Sequence, residues 1–164
     1  MFSPDNNYSL IGGVLVLQGF NYDLTIHDSR KTPIAFIELK NQVNMDENLA
    51  DEFRKNIMLN NGYISAPYFL LLSQKVGFLW KDINKNLEEL PTIVFNMIEV
   101  IKRYKPDEEN YWFKKLELEN IVYIWLLELS LLREFPENSA EEELAKVDFL
   151  QTIKGASVRF GEIM

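Results

Sequence analysis

Two apolar stretches, Tyr22-Asp23-Leu24-Thr25-Ile26-His27 and Ile34-Ala35-Phe36-Ile37-Glu38-Leu39-Lys40, decide how the first half of this 164-residue chain folds. The first stretch alternates in polarity, which is typical of a β-strand with one buried face. The second has apolar residues on both faces, which is typical of a central strand covered on both sides. Because the polar, turn-like residues 28–33 join them, we predict that the two strands pair antiparallel.

The sequence around this pair predicts a mixed sheet. An apolar stretch precedes it and is expected to extend it into an antiparallel meander. After it come an amphipathic helix and a buried strand, and a strand–helix–strand unit of this kind is expected to be a parallel, right-handed crossover. The predicted elements are strands at Leu10–Leu17, Tyr68–Leu72 and Val76–Trp80, and a helix at about Glu47–Asn60 with Asn44 or Asp46 as its N-cap.

The second half of the chain is predicted to be mainly helical. One helix is apolar nearly all round, so we expect it to be buried in the core or in a homodimer interface. The predicted elements are helices at Pro91–Tyr104, Leu116–Phe135 and Ser139–Lys146, and a closing strand at Ala156–Ile163. We therefore expect a single domain over residues 1–164, in which a helical C-terminal extension from about 86 to 164 packs on a core from about 8 to 85.

Composition excludes several kinds of site. The chain has no cysteine and a single histidine, which excludes disulfides, thiolate metal sites, cysteine nucleophiles and multi-histidine metal sites. Its net charge of −8 argues against binding nucleic acid through overall charge, and the acid is concentrated in the second half. The first twenty residues contain no Lys or Arg, and no apolar stretch approaches the roughly 18 residues of a membrane span. We expect a cytoplasmic protein without a membrane partner.

Three charged side chains stand at the ends of the two decisive strands. Glu38 and Lys40 are two residues apart and share a face, and antiparallel pairing can bring Asp23 beside Glu38. Two carboxylates at close range repel each other unless a cation or a proton lies between them. Oxygen ligands of this kind suit Mg²⁺ or Mn²⁺, and a bound metal can activate water for hydrolysis. The alternative is a structural salt bridge at a strand end.

The spacing of these residues resembles a known motif. Tyr22-Asp23-Leu24, followed by Glu38-Leu39-Lys40 with fourteen residues between Asp23 and Glu38, is similar to the PD-(D/E)XK motif of the restriction-endonuclease-like nucleases. The resemblance implies an α/β fold with a restriction-endonuclease-like mixed central sheet, an antiparallel meander plus a parallel crossover strand, flanked by helices. It also implies a Mg²⁺- or Mn²⁺-dependent nuclease that hydrolyses phosphodiester bonds, in DNA more readily than in RNA.

The resemblance assigns roles to five residues. Asp23 and Glu38 would be metal ligands, the carbonyl of Leu39 a third ligand, and Lys40 the group that orients the water. Gln42, just past the motif, would contact the phosphate or the nucleophile. The chain departs from the motif at two points. Tyrosine stands where proline is common, and residues 1–22 contain a single acidic residue, whereas members usually carry a further acid on a helix before the first strand.

Three further segments of the chain resemble a narrower family. The segments Pro67–Leu71, Phe78–Asp82 and Phe149–Gly155 resemble a family of bacterial proteins of unassigned function that is frequent in cyanobacteria. The alternative to a nuclease is a catalytically inactive relative that serves as a structural or protein-interaction subunit. Five basic residues are candidate phosphate contacts, although a solvated surface is the commoner role of each: Arg54, Lys55, Lys75, Lys81 and Lys85.

Overall fold

The computed structural model describes residues 8–11, 14–17, 22–42, 44–60, 66–81, 90–106, 115–131 and 134–161. Within these ranges the chain forms eight strands and five helices, as the α/β prediction requires. The strands are β1 (Tyr8–Ile11), β2 (Val14–Leu17), β3 (Leu24–His27), β4 (Pro33–Leu39), β5 (Tyr68–Leu72), β6 (Val76–Lys81), β7 (Ile93–Asn96) and β8 (Ser157–Phe160). The helices are α1 (Glu47–Asn60), α2 (Ile98–Tyr104), α3 (Lys115–Leu129), α4 (Ala140–Lys146) and α5 (Phe149–Thr152).

Six of the described strands form one mixed sheet in the order β7-β6-β5-β4-β3-β8. β4 and β5 are parallel and α1 lies between them in the chain, which confirms the predicted parallel strand–helix–strand unit. The other neighbouring strands pair antiparallel, including β3 with β4. Helix α1 begins where the sequence predicts, because the side chain of Asp46 accepts a hydrogen bond from the amide of Leu49 at 2.8 Å and caps the first turn.

The prediction of one strand over Leu10–Leu17 is wrong. β1 and β2 instead pair with each other as a separate two-stranded antiparallel sheet. The paired glycines of this stretch, Gly12 and Gly13, lie outside the described residues, and in sequence such a pair favours a turn between two strands. The strand beside β3 in the large sheet is β8, from the other end of the chain. The meander prediction therefore holds only for β3 and β4.

The sheet separates two apolar clusters. On one side, aromatic side chains of the sheet pack with Ala50 of α1. On the other side, the sheet packs with side chains of α2, α3, α4 and α5. Helix α3 contributes six buried residues to this second cluster: Leu118, Ile121, Val122, Trp125, Leu126 and Leu129. Of the two alternatives for this helix, burial in the core accounts for these six, and the homodimer stays a prediction.

The predicted helix at Pro91–Tyr104 is half wrong, because its first part is strand β7 and only α2 is helical. β7 pairs antiparallel with β6, with Phe95 opposite Gly77. The side chain of Asn96 then accepts a hydrogen bond from the amide of Ile98 at 2.7 Å, where the chain changes from strand to helix. The second half of the chain therefore adds a strand to each edge of the sheet, β7 and β8, as well as helices.

Helix α3 is shorter than the predicted Leu116–Phe135. It ends at Leu129, and the hydroxyl of Ser130 donates to the carbonyl of Leu127 at 2.7 Å. The carbonyl of Ser130 accepts instead from the amide of Gly155, at 3.0 Å, so that a tertiary contact replaces the next helical hydrogen bond. In the part of the chain that the structure describes, no helix has the length and apolar character needed to cross a membrane.

A close backbone contact beside β8 yields a first prediction. The amide of Gly161 donates to the carbonyl of Asp23 at 2.8 Å, and a Cβ atom on Gly161 would lie 1.4 Å from the carbonyl oxygen of Tyr22. Gly161→Ala can be accommodated only if the backbone moves. We therefore expect it to lower the free energy of unfolding by at least about 2 kcal/mol, measured by denaturant unfolding.

The matched control is Gly155→Ala. Gly155 has a positive φ of 73°, but a Cβ atom there meets no described atom within 4 Å. Alanine at this position should lower the free energy of unfolding by only about 1 kcal/mol, because it adds backbone strain but no steric clash. If Gly161→Ala lowers the free energy of unfolding no more than Gly155→Ala does, the close contact at Gly161 is contradicted.

Candidate functional site

The pairing of β3 with β4 brings two predicted site residues together. Leu24 lies opposite Ile37 in the antiparallel register, so Asp23 lies opposite Glu38. Asp23 Oδ2 accepts a hydrogen bond from the backbone amide of Leu39 at 2.8 Å. The carboxylate of Asp23 is thus fixed at the end of β4, directly beside that of Glu38.

Glu38 is a buried acid with an unsatisfied oxygen. Its residue exposure is 8%, and Oε2 has no hydrogen-bond partner among the described residues. Burial and, second, the charge of Asp23 raise the pKa of Glu38 from 4.5 to about 8, although Lys115 and Lys40 act in the opposite direction. Without a further cation, this carboxyl group therefore carries a proton near neutral pH.

Helix α3 adds two charged residues that the sequence analysis missed. Lys115 Nζ lies 3.1 Å from Asp23 Oδ1. One turn further along the helix, burial and the charge of Asp23 raise the pKa of Glu119. The site therefore contains the carboxyl groups of Asp23, Glu38 and Glu119 and the ammonium group of Lys115. The only local signal for the added pair is its i, i+4 spacing, which many helices share.

Lys40 remains close to the carboxylates but faces α1. Its Nζ lies 5.0 Å from the centre of the Phe53 ring, in a cation–π contact. Its backbone amide donates to the carbonyl of Leu72 at 2.9 Å and continues the β4–β5 pairing past the end of the strand. The positive charge of Lys40 still lowers the pKa of Glu38, so the two side chains share one electrostatic environment.

The remaining two predicted site residues are the backbone of Leu39 and the side chain of Gln42. The amide of Leu39 faces Asp23, and the carbonyl of a strand residue points to the same side as its amide. Leu39 can therefore offer an oxygen on the Asp23 side. Gln42 is half-buried beyond the end of β4, and no contact between described residues ties its side chain to Asp23 or Glu38.

The candidate phosphate contacts have mixed outcomes. Arg54 is fully buried, with its guanidinium 5.2 Å from the Trp80 ring centre and 3.3 Å from Asp51. Both alternatives given for it, a solvated surface and a phosphate contact, are therefore wrong. The other four differ in exposure and in partners. Lys55 pairs with Asp51 at 3.3 Å, Lys81 pairs with Asp148 at 3.4 Å, Lys75 is exposed, and Lys85 lies outside the described residues.

The donor set around Glu38 fits a hard cation with few protein ligands. Among the residues that the structure describes, no three His, Asp or Glu side chains are arranged to hold a metal together. Mg²⁺, however, usually keeps several water ligands and binds proteins through one or two carboxylates. Asp23, Glu38 and the Leu39 carbonyl supply that kind of set, and a cation would offset the repulsion between the two adjacent carboxylates.

The raised pKa of Glu38 makes stability depend on pH. The folded protein binds this proton more tightly than the unfolded chain does, so the wild type loses stability as pH rises from about 4.5 to about 8. Glu38→Gln removes the titrating group and keeps the shape of the side chain. In chelator-containing buffer, we expect the free energy of unfolding of Glu38→Gln to rise relative to that of the wild type, by at most about 1.4 kcal/mol per pH unit across this window.

The comparison needs a control for the loss of one negative charge. Glu52→Gln changes an exposed glutamate of α1 and serves that purpose. Denaturant unfolding of the three proteins at several pH values is the measurement. A stability difference between Glu38→Gln and the wild type that stays constant from pH 4.5 to pH 8 would contradict the buried, protonated state of Glu38.

Comparisons with known proteins give no neighbour for this site. The chain matches no family model, no curated protein and no solved structure. What the protein does is therefore inferred from the chemistry of its own residues.

Proposed function

We propose that this protein is a metal-dependent nuclease that hydrolyses phosphodiester bonds in DNA at the Asp23–Glu38 pair. The observation that carries the proposal is the state of Glu38, a buried carboxyl group beside the carboxylate of Asp23. One oxygen of Glu38, Oε2, has no hydrogen-bond partner among the described residues. Burial penalises the charged form of Glu38, which is why its pKa is raised, and it also penalises the unsatisfied oxygen. A divalent cation between the two carboxylates would compensate the charge.

The order of the elements supports a restriction-endonuclease-like fold. Two antiparallel strands, β3 and β4, are followed by a crossover helix and a strand parallel to β4. Asp23 precedes the first strand of this unit, while Glu38 and Lys40 stand at the end of the second. This agrees with the arrangement that the PD-(D/E)XK resemblance implies for the three residues.

The residues of the site have distinct roles in the proposed reaction. Asp23, Glu38 and the Leu39 carbonyl would hold Mg²⁺ or Mn²⁺. When bound, the cation would lower the pKa of water and neutralise charge on the phosphate. Lys40 carries its ammonium group on a flexible stem, so it can leave the Phe53 ring and hydrogen-bond to the attacking water. Gln42 is the proposed contact to the phosphate or the nucleophile.

Positive charge near the site supports a nucleic-acid substrate. Phosphate contacts supply most of the affinity of proteins for DNA, and in an acidic protein these contacts must be local. The side chain of Lys115 is 47% exposed while it pairs with Asp23, and Lys75 is exposed at the turn after β5. These two lysines are the proposed phosphate contacts outside the motif.

A second candidate function is a catalytically inactive subunit with a structural or interaction role. The observation that favours it is the ion pair between Lys115 and Asp23, at 3.1 Å. This ammonium group already supplies positive charge to one of the two carboxylates, as an internal substitute for a metal. The two functions differ in whether a divalent cation binds.

Calorimetric titration of the wild type with Mn²⁺ tests the metal site. We expect one Mn²⁺ per chain, and about tenfold or more weaker binding to Glu38→Ala, because that substitution removes a ligand. Glu52→Ala, on the exposed face of α1, is the matched control and should bind as the wild type does. Failure of the wild type to bind Mn²⁺, or equal binding by Glu38→Ala, would favour the inactive subunit.

Cleavage of single- and double-stranded DNA in Mg²⁺ or Mn²⁺ tests the activity. Lys40→Ala should lose about 100-fold or more in rate, since it removes the group that orients the attacking water. Lys102→Ala removes the same charge from an exposed position on α2 and should leave the rate unchanged. A rate that is indifferent to Lys40 would exclude its proposed role, and parallel assays on RNA would show which nucleic acid is preferred.

The Lys115–Asp23 ion pair predicts competition between lysine and metal. Because both bind the Asp23 carboxylate, Lys115→Met should bind Mn²⁺ several-fold more tightly than the wild type. Lys105→Met is the matched control, since it breaks the 3.4 Å pair between Lys105 and Glu117, to which no metal role is assigned. Unchanged or weaker binding by Lys115→Met in the same titration would contradict the competition.

A further inference from the structure

Tyr22 is a buried tyrosine whose hydroxyl group has no hydrogen-bond partner among the described residues. The residue is 2% exposed and directly precedes Asp23. Buried tyrosine hydroxyl groups usually find a partner, because an unpaired buried hydroxyl destabilises the folded state. We therefore expect the Tyr22 hydroxyl to have a hydrogen-bond partner other than the described residues.

Aromatic contacts fix the ring of Tyr22. The ring stacks on Phe36, with centroids 4.4 Å apart and an interplanar angle of 3°. The edge of a second ring, Phe69, lies at 6.0 Å and 68°. The ring is held on two sides, so the hydroxyl cannot reach a new partner by a large rotation of the side chain.

The same contacts place Tyr22 on the face of the sheet that carries Glu38. Phe36 precedes Glu38 by two residues in β4, and residues two apart in a strand share a face. Burial and, second, the charge of Glu38 raise the pKa of Tyr22, so the two groups interact electrostatically without a direct hydrogen bond. Both Tyr22 and Glu38 are more than nine-tenths buried, and each has one oxygen without a partner in the part of the chain that the structure describes.

We propose that Tyr22 is a positioning residue for the metal site: its hydroxyl group holds the Glu38 carboxylate in its ligating orientation through one ordered water molecule. The phenol O–H donates to the water, and the water donates to Glu38 Oε2. A buried water needs two to four polar partners, and the Tyr22 hydroxyl and Glu38 Oε2 provide two. The link satisfies both orphaned oxygens with one molecule and leaves the other Glu38 oxygen for the cation. This inference rests on the proposed metal-dependent function.

Tyr22→Phe and Tyr68→Phe form a matched pair of variants for the test. Each removes one hydroxyl group from a buried ring on the same sheet. The hydroxyl of Tyr68 donates to the carbonyl of Val147 at 2.8 Å, in the cluster on the other side of the sheet. The probe is Mn²⁺ alone, titrated by calorimetry into each full-length protein, and thermal unfolding with a chelator present measures stability without metal.

The two variants should differ in metal affinity. We expect Tyr22→Phe to bind Mn²⁺ about fivefold more weakly, the effect of one neutral hydrogen bond, with an unfolding temperature lowered no more than that of Tyr68→Phe. We expect Tyr68→Phe to bind Mn²⁺ as the wild type does and to unfold at a lower temperature. A merely structural role of Tyr22 would not change metal affinity.

The outcomes separate this inference from the proposed function. Wild-type Mn²⁺ affinity in Tyr22→Phe, with binding still lost in Glu38→Ala, would overturn the role of Tyr22 and leave the metal site intact. Equal weakening of Mn²⁺ binding in Tyr22→Phe and Tyr68→Phe would also overturn it, because the loss would then follow from general destabilisation. Absence of Mn²⁺ binding by the wild type would overturn the metal site itself.

Discussion

The hydrogen bond between the Leu39 amide and the Asp23 carboxylate is the interaction on which the site depends. It fixes Asp23 at the end of β4, where antiparallel pairing brings it beside Glu38. Asp23 accepts this hydrogen bond and forms an ion pair with Lys115. Burial and the charge of Asp23 raise the pKa of Glu38, and the charges of Lys115 and Lys40 offset these effects only in part. The chemistry proposed for the protein follows from this asymmetry between two adjacent acids.

The second half of the chain contributes to this arrangement. Strand β8 pairs with β3, and the amide of Gly161 binds the carbonyl of Asp23. Helix α3 packs in the main apolar cluster and carries Lys115 to the carboxylates. Residues far apart in sequence therefore determine the charge balance at the β3–β4 pair. Substitutions in the second half of the chain that shift α3 or β8 can change the site without touching Asp23 or Glu38.

The sequence predicted most reliably the elements whose polarity pattern has one structural explanation. β4 has a continuous apolar pattern because both faces are covered, and α1 has both an apolar stripe and a capping residue, Asp46. Patterns that fit two structures were misread. Val94 and Met97 have spacing that suits a helix, but pairing with β6 makes the first of them part of a strand. The same limit applies to Leu10–Leu17, which is apolar throughout and forms two strands.

The sequence by itself determined which chemical groups the two central strands carry and that Asp23 and Glu38 are neighbours, because strand periodicity and antiparallel pairing are local properties of the chain. Tertiary structure alone decided that Glu38 is buried with no hydrogen-bond partner on Oε2 within the described ranges, that Lys115 and Glu119 lie beside Asp23, and that Arg54 is buried. Burial and charge balance depend on which distant segments pack together. Local periodicity contains no information on that packing.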